Sequence, residues 1–178
     1  MKNITLLLLS LLLITSCKKN QEEILFPFPL QDIDFAIPPT ASTFQVHYFN
    51  LENVVTNHEG LFSSNNVSED SDVRIVPFEC SLNGLIGNVD YDFIEQMSVR
   101  ICDAGDVSEN CGTEIFWRQP VPLNVGNILD LIPSDIDVKK FLIQDKVNIQ
   151  VKLELLRQNP PQFVETRLLL DFAVKEAN

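Results

Sequence analysis

Three sets of side chains in this chain have types and spacings that could support chemistry. The first is acidic: Glu69, Asp70 and Asp72 in one run, and Asp103, Asp106 and Glu109 in another. Calcium takes six or more oxygens, which loops supply from carboxylates and backbone carbonyls together. Neither run follows the D-x-[DN]-x-[DN]-G pattern of an EF-hand. The simpler reading of each is a hydrated loop, with Asp103, Asp106 and Glu109 as the metal candidates. The second set is aromatic. Phe116 and Trp117 are neighbours, and neighbours on a strand point to opposite faces. One of them can therefore stand outside a core. Phe49 lies out of phase with Phe44, Val46 and Tyr48. Phe49, Phe116 and Trp117 are thus candidates for a face that binds sugar or protein, and packing under a second sheet is the competing reading.

The third set is sulfur. Cys102 and Cys111 bracket a polar loop with a strand-like run on either side. A bridge between them would staple the neck of a hairpin, and a loop of about ten residues is worth about 2.5–3 kcal/mol in the chain-entropy picture. A metal reading needs more soft ligands, and no histidine or further cysteine lies nearby in sequence. Cys80 is left over and reads as a small buried hydrophobe.

Catalytic patterns are missing from the sequence. The two histidines, His47 and His58, stand in no H-E-x-x-H arrangement and read as exposed structural residues. No serine sits in a G-x-S-x-G elbow. The expectation is a non-enzyme without a cofactor. The formal charge of −12 repels nucleic acid and anionic lipid, so no nucleic-acid partner is expected.

The elements that must position these residues alternate with period 2. Pro27, Pro29, Pro38 and Pro39 impose an extended entry segment, with Phe26, Phe28, Phe35 and Ile37 able to dock on the body. Phe44, Val46 and Tyr48 read as one face of a strand. Residues 53–72 read as a long polar connection, pinned by Leu61 and Phe62. Val73 to Leu82 reads as a strand whose phase slips at Val76-Pro77, where proline implies an edge or a bulge. Met97, Val99 and Ile101 read as a central strand, with Ile115 and Trp117 on its partner. Ser134 to Asp137 resembles a capping box, predicting one short helix over 135–142. Val147 to Leu155 and Val164 to Val174 are the clearest strands, and Asn159-Pro160-Pro161-Gln162 between them predicts an antiparallel hairpin. Half-oily strands need a covering layer. The fold class read from this is all-β: an antiparallel β-sandwich of about seven strands in immunoglobulin- or fibronectin-like layers, with one short helix.

The N-terminus carries a different signal. Lys2 precedes an apolar run, Leu6 to Ile14, broken only by Ser10. That run is shorter than the roughly 20 residues of a membrane-spanning helix. Thr15, Ser16 and Cys17 follow. This segment, residues 1–17 only, resembles the lipobox of bacterial lipoproteins. The resemblance implies a signal peptide over 1–16, cleaved before Cys17, and a lipid on the Cys17 sulfur. Two or more acyl chains anchor a protein stably where one does not. No Asp follows Cys17, which in that family points to the outer membrane. Residues 17–25, with Glu22-Glu23, resemble the polar tethers of surface-exported lipoproteins. Residues 26–178 are then a single sandwich domain. The functional expectation is an outer-membrane-anchored lipoprotein, periplasmic or surface-facing, that holds the membrane through Cys17 and acts as a non-catalytic structural or protein-interaction body. The alternative is a carbohydrate- or calcium-binding module of a surface nutrient-uptake system.

Overall fold

Strands dominate the computed structural model, which describes residues 23–86 and 90–177. Cys17 and the signal segment lie outside the described residues. The strands are β1 (Ile24–Pro29), β2 (Ile33–Ile37), β3 (His47–Val55), β4 (Val73–Gly84), β5 (Ile94–Asp103), β6 (Thr113–Arg118), β7 (Ile128–Asp130), β8 (Ile132–Pro133), β9 (Lys146–Leu156) and β10 (Val164–Glu176). Two short helices interrupt them, α1 (His58–Ser64) and α2 (Lys139–Leu142). One sheet runs β1-β10-β4-β7, with β2 also pairing β10; the other runs β3-β9-β5-β6-β8. All pairings are antiparallel. The protein is an all-β sandwich, as its alternation predicts, with ten strands among the described residues rather than about seven. The extra ones are short or come from the entry segment.

The core lies between the sheets. From β9, Val147, Ile149, Val151 and Leu153 face Leu168, Leu170, Phe172 and Val174 of β10, all buried. Phe116 meets Phe172 edge-on, ring centres 6.0 Å apart. Each such side chain contributes about 1.5–3 kcal/mol by leaving water. The entry segment docks as its aromatics foretell: Phe26, Phe28 and Ile37 are buried, and Phe26 and Phe28 pack on Phe62 of α1.

Four local expectations are corrected. First, β9 and β10 are not a hairpin; they lie in different sheets. Each is already flanked on both sides, β9 by β3 and β5, β10 by β4 and the β1/β2 pair. Their oily faces cover each other across the core instead of sharing one sheet. Arg157 secures the crossing by donating to the carbonyls of Asp92, Ile94 and Val121. Second, the strand expected over 44–48 begins at His47, and Phe44 is 95% exposed. Third, the polar connection is shorter than read. β3 continues to Val55 and α1 follows, with Phe62 buried beneath it. Fourth, α2 spans only Lys139–Leu142. The Asp137 carboxylate is spent locally, accepting from the amides of Lys139 and Ile75, so the chain is pinned to β4 before it can coil. The phase slip on β4 is real. The register between β4 and β10 shifts at Asp171/Phe172, opposite Pro77 and Glu79, leaving Phe78 bulged out and 44% exposed.

Candidate functional site

Strand β10 gives the sandwich two ends. Val164 pairs with Ile37 and Thr166 with Gly84 at its start, while Lys175 pairs with Ile24 and Glu176 with Val73 at its finish. We call these the upper and lower ends. Twelve steps of about 3.3 Å separate them by roughly 40 Å.

The lower end is the reinforced one. Val55 pairs with Lys146 and Asp103 with Val147 there, which brings both helices and the Cys102–Cys111 disulfide to that end. The disulfide closes, Cα atoms 5.6 Å apart, at the neck of the β5–β6 hairpin. The loop it closes folds back over the outer face of the β9 sheet. Three amide side chains hold its carbonyls: Asn50 donates to Val107, Asn148 to Asp106 and Gln150 to Ser108. Asn110 donates to the Tyr48 hydroxyl. Asn148 and Gln150 are buried by this contact.

That docking decides the fate of the metal candidates. Asp106 accepts from the amide and hydroxyl of Ser108, and these bonds hold its carboxyl below the ordinary range. Asp103 accepts from Gln144, and Glu109 is exposed. The loop's carbonyls point into the sheet's amides. Asp103, Asp106 and Glu109 therefore do not converge on a common point. The aromatic candidates separate as well. Phe116 is fully buried against Phe172 and is withdrawn as a ligand contact: a bulge between Val99 and Arg100 turns both Ile115 and Phe116 inward. Phe49 is half-buried and packs on Phe35 of the opposite sheet, 5.4 Å between ring centres. Trp117 alone of the three stands outside, 37% exposed, opposite Ser98.

Neither histidine is in its expected exposed state. His47 is half-buried, its Nε2 2.9 Å from the Ser42 carbonyl. His58 is 6% exposed, with Nδ1 3.2 Å from Thr56 Oγ1 and Nε2 3.4 Å from Glu69 Oε1. No sequence motif marks this placement.

The upper end is built from connections rather than helices. The β2–β3, β4–β5, β6–β7 and β9–β10 loops all meet there. Bonds tie the β4–β5 loop to the β6–β7 loop and to β10: Tyr91 donates its hydroxyl to Thr166 and its amide to the Gly126 carbonyl, and Asp92 accepts from the Val125 amide. Burial pushes the Tyr91 phenol up to about 12, against a smaller opposite effect of Thr166. On this rigid base, the loops expose large apolar side chains: Phe44 at 95%, Leu123 at 66%, Ile86 and Phe163 at 65%, with Leu85 and Ile128 also exposed. Compared with known proteins, the chain matches no family model, no curated protein and no solved structure. Its function must be argued from this geometry. Loops on a fixed scaffold are where binding residues concentrate, and apolar groups gathered at one surface mark contact sites.

An open groove of ≈ 580 Å³ lies on the outer face of β4 and β10. Glu79, Asp130 and Asp171 ring it beside Phe78 and Leu169. Burial, then the neighbouring Asp32, raises the Asp171 carboxyl. Behind the groove, on the core side of β4, Cys80 is a buried free thiol. Burial first, then Asp130 and Asp171, push that thiol well above its ordinary value, so it stays protonated and weakly nucleophilic. Among the described residues, no helix is long and apolar enough to cross a membrane.

Proposed function

We propose that this protein is an outer-membrane lipoprotein, acylated at Cys17, whose β-sandwich holds a protein-binding end away from the membrane. The observation that carries the reading is the opposition of the two ends. Ile24, seven residues after Cys17, enters at the lower end beside Lys175, whereas the exposed apolar loops crown the upper one. Seven residues reach at most about 25 Å, so the anchor keeps the lower end near the lipid. The bound disulfide at that end suits an oxidising, extracytoplasmic compartment. The loops carrying Phe44, Leu123 and Phe163 then face outward, where a partner's apolar groove would bury them.

The anchor is tested by fractionation and mass spectrometry. The wild-type chain should pellet with outer membranes and carry acyl chains on Cys17, and Cys17→Ala should be soluble. A soluble wild type with an unmodified terminus overturns the anchor. The binding end is tested by photo-crosslinking side chains placed at Phe44, Phe163 and, as the lower-end control, Ile136. Discrete adducts on intact cells are expected from the first two and lost in Leu123→Asp. Adducts from Ile136 alone, or from none, overturn it.

The acidic groove supports a second, narrower reading as a glycan site, because the exposed Phe78 ring stands beside the polar side chains of Ser81 and Asn83. A glycan array with the wild-type chain and Phe78→Ala separates the readings. Signal lost in the variant favours the groove, and a blank array removes it.

A further inference from the structure

One cluster at the lower end is used by neither reading. The ligand atoms of His58, Glu59 and Asp145 lie within 4.8 Å of one another, brought together from two distant segments. Thr56 clamps those segments. Its amide donates to the Asp145 carbonyl and its hydroxyl donates to the Gln144 carbonyl at 2.5 Å. Since the Thr56 proton is spent on Gln144, Nδ1 of His58 must be the donor in its contact with Thr56 Oγ1. That fixes the tautomer and leaves the neutral ring's lone pair on Nε2.

Nε2 stands 3.4 Å from the Glu69 carboxylate. A charge-assisted hydrogen bond between an imidazolium and a carboxylate closes to about 2.7–2.9 Å. The observed spacing is longer than that, so the Nε2 lone pair is not committed to Glu69, which lies outside the three converging ligands. From this we infer that His58, Glu59 and Asp145 bind one divalent cation of the zinc class, with the fourth position left to water. One imidazole nitrogen with carboxylate oxygens suits a borderline ion, whereas calcium and magnesium take oxygen alone. Burial of His58 under α1 fixes its ring, and Glu59 and Asp145, both exposed, leave an entry path. The ion would tie the start of α1 to the turn before β9, adding to the bonds that Thr56 already makes there.

The test is a zinc titration of the full-length chain in detergent, by calorimetry and thermal melting, with calcium and magnesium run in parallel. One zinc per chain and a concentration-dependent rise in Tm are expected, with no rise from the other two ions. Removing even an outer partner of a metal costs 10–100-fold in affinity. Glu59→Gln and Asp145→Asn, on exposed carboxylates, should thus weaken zinc by at least about tenfold while the apo proteins melt as wild type. His47→Ala should bind zinc unchanged. Should His58→Ala fail to fold, the two exposed variants carry the decision. A flat zinc titration, or full affinity in Glu59→Gln and Asp145→Asn, overturns the site.

Discussion

Breaking the Cys102–Cys111 bridge should cost about 2.6 kcal/mol at 25 °C, the chain-entropy value for a sequence separation of 9. The structure says where that cost arises. The bridged loop is not held by sulfur alone, because Asn50, Asn148 and Gln150 grip its carbonyls. With the bridge cut, the loop stays docked in the native state, and the loss falls on the freed unfolded chain. Two observables follow in urea unfolding of the full-length chain with and without reductant. The stability should fall by about 2–3 kcal/mol, while the slope with denaturant does not decrease, since the native surface is unchanged. In a thermal scan the same loss lowers Tm by about 5–10 °C. The Cys102→Ala/Cys111→Ala pair should reproduce the reduced protein to within the packing cost of two buried thiols. Cys80 is buried and cannot substitute as a partner. A loss under about 1 kcal/mol, or a clear drop in slope on reduction, would refute the account, the latter by showing that the loop leaves the sheet.

Other perturbations sort by burial and charge. Phe116→Ala empties a fully buried site against Phe172 and should cost about 3–5 kcal/mol; the same truncation at exposed Phe44 should stay within about 0.5 kcal/mol, both read by urea melting. The Tyr91 phenol is pushed up to about 12 when folded from about 10 unfolded, so the folded state holds the proton more tightly. Its stabilisation is complete below pH 10 and is lost as pH rises toward 12, and Tyr91→Phe should flatten that part of a stability–pH curve. Asp106 is the opposite case: Ser108 lowers its carboxyl, so its contribution is present above the unfolded pKa and is lost as the solution is acidified through the lowered folded value. Ser108→Ala should make acid unfolding begin from a less stable plateau. Asp171, raised by burial and Asp32, is ionised at a cost near neutrality, and Asp171→Asn should raise Tm at pH 7.

Much of the sandwich was legible because alternation reports a buried face directly. Val147 to Leu153 and Leu168 to Val174 needed nothing else. Alternation does not say which strand lies alongside, and so β9 and β10 read as a hairpin when they belong to opposite layers. Two adjacent oily strands are equally satisfied side by side or face to face. The choice is made by Arg157 and by the remote strands β1, β2 and β3 that claim their edges. Helix α1 was hidden because seven residues give no period, and Asn57 before it adopts φ 52 without a side-chain cap. His58 read as exposed for a similar reason: its polar neighbours in sequence gave no hint that Thr56, Glu69 and Asp145 would enclose it. The disulfide was legible because nine residues between two strand-like runs leave little freedom. The upper-end loops were not, since their exposed Leu123 and Phe163 follow turns that carry no periodic signal.

The pairing of Ile24 with Lys175 has a consequence for biogenesis. The first strand of the body closes against the last, so the loop between them spans nearly the whole polypeptide. Such distant closures come late and slowly in folding. Until the final strand has emerged, β1 has nothing to zip onto. Were the chain exported as proposed, the machinery would meet an open, unfinished polymer rather than a body it must first unravel.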